Sequence, residues 1–257
     1  MLSTGARREQ ILQAVQDQHR VRVSRLAQLF GVSTVTIRTD LRAMTAAGLL
    51  ARQHGGARLA TQALPEAPLA EKRIRHRERK LRIANRAAAL VSPGDKLILD
   101  AGSTTLMLAQ RLSASSPLTV FTNSLPIANE VGQVAGLRLI VSGGTLRQTS
   151  QSLQGPQAEA SLQSFFFDKL FLGADGCDPD FGLSTHDVED ARLNACMVEH
   201  ARQVIVLADG SKFGQLCLHR ICALDRVHTV VSDASMPHSI RAALVANGIE
   251  VIIAEEN

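Results

Sequence analysis

Seven short apolar runs shape the last two-thirds of the chain: Lys96–Asp100, Leu118–Thr122, Leu137–Ser142, Lys169–Gly173, Val204–Asp209, Thr229–Asp233 and Glu250–Ala254. Between them fall stretches with helical spacing, at Thr105–Leu112, Pro126–Val131, Ala158–Phe166, Asp187–Ala201 and Ser239–Ala246. Strands of about five apolar residues separated by helices define an α/β domain with a mostly parallel sheet. The pattern predicts such a domain over residues 92–257.

The first 60 residues follow a different rhythm. Arg7 to Gln18 reads as a helix, with Ile11, Leu12 and Val15 on one face. Ser24 is a candidate N-cap for a second helix ending at Phe30, with Leu26, Ala27 and Leu29 turned inward, and Gly31 suits its C-cap. Ser33 then caps a third helix to about Ala47, packing through Ile37, Leu41 and Met44, and Gly48 stops it. Leu49 to Arg58, containing Gly55-Gly56, reads as a hairpin. Three short helices and a hairpin make a winged helix-turn-helix, whose third helix enters the DNA major groove. Ser33, Thr34, Thr36, Arg38, Thr39 and Arg42 supply the short polar and cationic side chains such a helix needs. Arg52, His54 and Arg58 place cations on the wing.

Charge agrees with this division. The net charge of +4 hides 16 Lys+Arg against 6 Asp+Glu in residues 1–82, and 12 against 18 in the remainder. A basic end on an acidic body is the asymmetry expected when one end meets phosphate backbone. There is no Trp or Tyr for stacking single-stranded bases. Cys177, Cys196, Cys217 and Cys222 form no Cys-x-x-Cys pair, so they read as buried thiols rather than metal ligands. No metal or cofactor is expected. The start has no apolar signal-like core and no run reaches the roughly 18 residues of a membrane span, so a soluble cytoplasmic protein is expected.

Residues 60–70, with Pro65 and Pro68, read as a linker, and Glu71 to about Val91 as a basic helix that hinges the two domains. The expected domains are thus 1–60, a linker and hinge at 61–91, and 92–257.

Five polar, glycine-bearing motifs each follow a predicted strand: Asp100 with Gly102, Ser103, Thr104 and Thr105; Asn123-Ser124 after Thr122; Gly143-Gly144 after Ser142; Asp175-Gly176; and Asp209 to Lys212. Ligands of open α/β sheets bind outside the carboxyl ends of the strands. One cluster alone is an ordinary turn, but five at one edge imply a shared pocket. Free N–H groups and hydroxyls at Gly102–Thr105 and Gly143-Gly144 can cradle an anion. Lys212 can neutralise phosphate, and Asp100 and Asp175 can accept from sugar hydroxyls. A phosphorylated sugar is the expected ligand.

These motifs carry a resemblance. Arg7-Arg8-Glu9-Gln10-Ile11, Leu26–Ser33, Thr36–Leu41 and His54–Ala57, with the five later motifs, resemble the DeoR family of bacterial sugar-metabolism regulators over nearly the whole chain. Leu183–Asp187 with Ala191–Asn194 is most similar to the N-acetylgalactosamine (Aga) repressor branch. The resemblance implies an effector domain similar to ribose-5-phosphate isomerase and glucosamine-6-phosphate deaminase. It also implies a sugar-phosphate effector, possibly of an amino sugar, at the residues named above. Asp190 and Asn194 stand where many members have a Glu and a Lys, so Asp190 is expected to reach a hydroxyl while a second phosphate cation is missing.

Two functions follow. One is a transcriptional regulator, most simply a repressor of a sugar operon released by a sugar phosphate. The other is a sugar-phosphate isomerase or deaminase with an attached DNA-binding domain, for which Asp175, His186, Asp187 and Glu189 are candidate proton carriers by type. One recognition helix contacts few base pairs, so a homo-oligomer on a double-stranded operator is expected.

Overall fold

The computed structural model describes residues 4–18, 20–46, 50–53, 55–59, 66–112 and 117–255. They form two compact units, divided between Leu64 and Pro65.

In the first unit, α1 (Thr4–Gln18), α2 (Val23–Phe30) and α3 (Thr34–Ala46) surround a small core with the sheet β1 (Arg20–Arg22), β2 (Leu50–Gln53) and β3 (Gly56–Leu59). Ile11, Val15, Leu26, Ile37, Leu41, Met44 and Leu50 are all buried there. The wing hairpin β2–β3 gains an unexpected third strand, because β1 pairs antiparallel with β3. This forces the glycine at 56, where any Cβ would stand 1.9 Å from the Val21 carbonyl oxygen. It also moves the start of α2. Arg22, not Ser24, is the N-cap, with no side-chain cap, because the Val23 amide donates to the Gly55 carbonyl at 2.9 Å. Gly31 does end α2 in the left-handed conformation (φ 61°). Leu29, expected inward, is 65% exposed, since α2 buries only its Val23–Leu26 edge. The expected stop at Gly48 lies outside the described residues.

The second unit is built on a seven-stranded, wholly parallel sheet: β4 (Lys96–Leu99), β5 (Leu118–Thr122), β6 (Leu137–Val141), β9 (Phe167–Gly173), β12 (Ala201–Leu207), β14 (Thr229–Asp233) and β15 (Glu250–Ala254). The order is β15-β14-β12-β9-β4-β5-β6. Side-chain alternation divides each strand between two cores. Ile98, Leu170, Leu172, Val204 and Val206 face α8 (Pro156–Ala160), α9 (Val188–Glu199) and α10 (His238–Ala246). Leu97, Leu99, Phe171, Ile205 and Leu207 face α5 (Arg77–Ala88), α6 (Ser103–Ala109) and α7 (Leu125–Gly132). Helices thus cover both faces, as the apolar runs required. Two antiparallel ribbons, β7–β8 (Thr145–Arg147, Ser152–Gln154) and β10-β11-β13 (Gly176–Asp178, Gly182–Thr185, His219–Cys222), were not expected.

The predicted Glu71–Val91 helix is broken in two. α4 (Leu69–Ile74) ends at Arg75, and His76 in a left-handed conformation (φ 55°) separates it from α5. Far from spanning between domains as a free hinge, α5 buries Ile83, Ala84 and Ala87 in the core of the second unit. No described helix is long and apolar enough to cross a membrane.

Candidate functional site

Two surfaces concentrate the chemistry, one in each unit. In the first, the Ser33 hydroxyl accepts from the Thr36 amide at 3.1 Å and caps α3. Thr34, Val35, Arg38, Thr39 and Arg42 are exposed on that helix while Ile37, Leu41 and Met44 are buried beneath them. Arg38 and Arg42 stand one turn apart and form no ion pair with any described residue, so their charge is free for phosphate or guanine. Val35 was overlooked: 66% exposed amid polar residues, its methyls suit the methyl of thymine. Asp40 was overlooked too. It is 2% exposed and takes Arg7 Nε at 2.6 Å and Arg8 Nε at 2.9 Å, fastening α3 to α1. Its burial would raise the carboxyl pKa, but the two guanidinium groups more than offset this and lower it. The Arg52 side chain and His54 lie outside the described residues.

The second surface is a cavity at the carboxyl ends of β4, β9 and β12. Chain order reverses between β4 and β9, whose neighbours lead away on opposite sides. That switch point is where an open α/β sheet leaves a crevice. Of the residues read from the sequence, Asp100, Gly102, Ser103, Thr104, Asp175, Asp190 and Lys212 line it. Other predicted residues stand behind the wall. The Asn123 side-chain carbonyl accepts from the Ala101 amide at 3.0 Å and holds the Asp100–Gly102 turn. Ser124 caps α7, and the Thr105 hydroxyl donates to the Gly102 carbonyl. Gly143, Gly144 and Gly176 do not reach the cavity. Gly144 (φ 104°) is required by packing instead, since a Cβ there would lie 2.6 Å from the Gln154 carbonyl oxygen. Only three of the five motifs therefore converge, because β5 and β6 lie to one side of the switch point.

What sequence reasoning missed is the opposite wall. The presumed linker and hinge helix supply Glu66, Leu69, Lys72 and Lys80. The Lys72 ammonium pairs with Asp175 at 3.0 Å and Glu66 at 3.1 Å, and Lys212 also reaches Asp175 at 3.4 Å. Glu66 is gripped in turn by Arg147, which faces Asp187 at 3.4 Å and Asp190 at 3.5 Å. Lys80 is 4% exposed and donates to the Lys72 carbonyl at 2.5 Å.

These contacts set the charges. Burial opposes ionisation of Asp175, but Lys72 and Lys212 prevail and hold its pKa at about 2. Burial pushes Lys80 down to about 8, aided by Lys212 and Lys72 and opposed by Asp209. Burial likewise lifts Asp190 to about 6 despite Arg147, and raises Asp100 well above the usual carboxylate range. The cavity thus offers cations to an anion, and carboxyl and hydroxyl groups to a polyol. Of the other candidate proton carriers, Asp187 caps α9 by accepting from the Glu189 and Asp190 amides, and Glu189 pairs with Arg192.

A groove-reading helix in one unit and a polar cavity in the other define a DNA-binding transcriptional regulator with its own sensor. Comparison with known proteins agrees. Residues 7–63 match the DeoR-like helix-turn-helix domain and residues 75–234 the DeoR C terminal sensor domain. The chain belongs to the DeoR family. It is 39% identical, over 98% of its length and 95% of the other's, to "Putative aga operon transcriptional repressor" of Escherichia coli O157:H7. It is 35% identical to the transcriptional repressor AccR of Agrobacterium fabrum, over 90% of each chain. Among solved structures, ribose 5-phosphate isomerase A of Methanocaldococcus jannaschii aligns over 52% of this chain and 53% of that one, with 20% identity and a TM-score of 0.40.

Proposed function

We propose that this regulator represses a sugar or amino-sugar catabolic operon and is released from its operator by a phosphorylated sugar. The observation that carries the effector reading is the cavity at the switch point, whose lining includes both Lys72, Lys80 and Lys212 and the turn Gly102, Ser103 and Thr104. A phosphate dianion satisfies that set, while Asp100, Asp175 and Asp190 suit sugar hydroxyls. The relatives named as repressors support the direction of control, and the aga operon of one supports an amino sugar 6-phosphate.

The same cavity suggests how binding is transmitted. Glu66, Leu69 and Lys72 lie in the stretch that directly follows residues 60–65, the covalent link from the DNA-binding unit. A ligand that takes Lys72 away from Asp175 and Glu66 acts on that stretch. Linkage then requires that DNA lower effector affinity by the factor by which effector lowers DNA affinity. One recognition helix reaches few base pairs, so we place at least two copies on an operator with half-sites about 34 Å apart or a multiple of that.

The test is a thermal-shift screen against sugar phosphates, followed by DNA binding with and without the hit. Arg38→Ala should weaken DNA binding and keep the ligand shift. Lys212→Ala should lose the ligand shift and stay bound to DNA. A ligand that leaves DNA affinity unchanged, or is turned over to product, would defeat the reading.

A further inference from the structure

Among the described residues Asn194 Oδ1 has no hydrogen-bond partner, although the residue is only 6% exposed and lines the cavity. More than about nine in ten buried polar groups are satisfied. An orphan acceptor on a residue of the cavity wall is therefore a candidate for a donor that a ligand brings.

Its surroundings say what kind of donor. Ion-pair contacts run in one line, from Lys212 to Asp175, Lys72, Glu66, Arg147 and Asp190. Asn194 stands one turn beyond Asp190 on α9, on the same face. Asp190 accepts from Ser152 Oγ at 3.2 Å, and Ser152 shares a 2.7 Å hydrogen bond with Ser150. Arg147, the cation closest to this end, is enclosed by Glu66, Asp187 and Asp190. Lys212 and Lys72, with Lys80 on the Lys72 carbonyl, thus stand toward one end of that chain of contacts, and Asp190, Ser152 and Asn194 toward the other.

Resting on the effector reading above, we propose that Asn194 sets which sugar phosphate the cavity accepts. Its Oδ1 takes a hydrogen bond from an uncharged hydroxyl or amide N–H on the sugar, at the end away from the phosphate. A second phosphate or a carboxylate at that end would bring acceptor oxygens against Oδ1 and the Asp190 carboxyl, where the one described cation, Arg147, is already committed to Glu66, Asp187 and Asp190. Turning the amide over offers its N–H groups but leaves Asp190 in place. The ligand class is therefore a sugar monophosphate, not a bisphosphate or a phosphorylated sugar acid.

Titration calorimetry on the full-length protein tests this. The probes are the 6-phosphates of glucose, galactose, glucosamine and N-acetylglucosamine, against fructose 1,6-bisphosphate and 6-phosphogluconate. The wild type should bind one of the monophosphates at least about tenfold more tightly than either doubly anionic probe. Asn194→Leu should weaken that monophosphate by about tenfold or more. Its melting temperature without ligand should not fall, because no protein partner is lost. Asn194→Lys should shift the preference toward the bisphosphate. Wild-type preference for a doubly anionic probe, unchanged affinity in Asn194→Leu, or a lowered melting temperature of the free variant would each overturn the proposal. If the wild type binds none of the probes, the effector reading falls as well. If it binds one and Asn194→Leu binds it equally, only the role of Asn194 falls.

Discussion

Asp175 is the charge on which the cavity turns, and Asp175→Asn measures its worth. Its carboxyl is held at about 2 rather than 3.8 by Lys72 and Lys212, against the opposing effect of burial. A drop of nearly two pKa units corresponds to about 2–3 kcal/mol of preference for the ionised form in the fold. The side chain is only 13% exposed, so solvent screening removes little of this. Because the folded pKa lies below the unfolded one, the contribution is present above pH 4 and is lost as pH falls toward 2. Asparagine keeps the shape and the Thr185 contact but cannot carry the charge. Calorimetric melting of wild type and variant should therefore separate by about 5–10 °C at pH 7, at about 2–4 °C per kcal/mol for a unit of this size. The gap should close as pH approaches 2. Freed of their carboxylate, Lys72 and Lys212 should also bind inorganic phosphate more tightly in the variant. A gap independent of pH, or phosphate affinity that falls, would refute the idea that Asp175 is held ionised by the two lysines it keeps from an anion.

The seven strands of the sheet were legible because a doubly covered parallel sheet needs consecutive apolar residues, and little else in the chain has them. The recognition helix was legible for the complementary reason, that its buried residues 37, 41 and 44 leave Arg38 and Arg42 outside. The opposite wall of the cavity was not. Pro65 and Pro68 read as linker punctuation, yet Pro68 serves as the N-cap of α4. One partner of Lys72, Asp175, stands 103 residues away, beyond any local signal. Lys80 did leave a trace. With Ile83, Ala84 and Ala87 it completes the i, i+3, i+4, i+7 face that α5 buries, but the surrounding arginines made the stretch read as a basic hinge. The short ribbons β7–β8 and β10-β11-β13 were hidden because three- or four-residue polar strands carry too little alternation to register. Gly143 and Gly144 misled because a glycine fixed by close packing and one that admits a ligand look alike in sequence.

Two further outcomes follow from buried charges. Asp40→Ala removes the carboxylate that Arg7 and Arg8 share, leaving Arg7, 8% exposed, without its partner. Stranding a buried charge costs about 3–5 kcal/mol, so circular dichroism should show the first unit melting early and DNA binding should fail. A full retention of both would show that Asp40 does not fasten α3. Lys80 makes a prediction about pH. With its pKa pressed to about 8 chiefly by burial, it is mostly charged at pH 7 and mostly neutral at pH 9. In the free protein the depressed value favours folding as pH rises from about 8 toward the unfolded value of 10.5. Phosphate binding must run the other way, because a dianion beside Lys80 needs its proton. The second phosphate pKa, about 6, leaves the ligand charge constant over this range. Affinity for a sugar phosphate should therefore drop about tenfold between pH 7 and pH 9. Calorimetry at pH 8.5 in buffers of different ionisation enthalpy should detect proton uptake on binding. Lys80→Gln should bind more weakly at pH 7 and lose both the pH dependence and the uptake. If the wild type binds equally at pH 7 and pH 9, Lys80 does not face the phosphate, and the anion belongs with Lys72 and Lys212 alone.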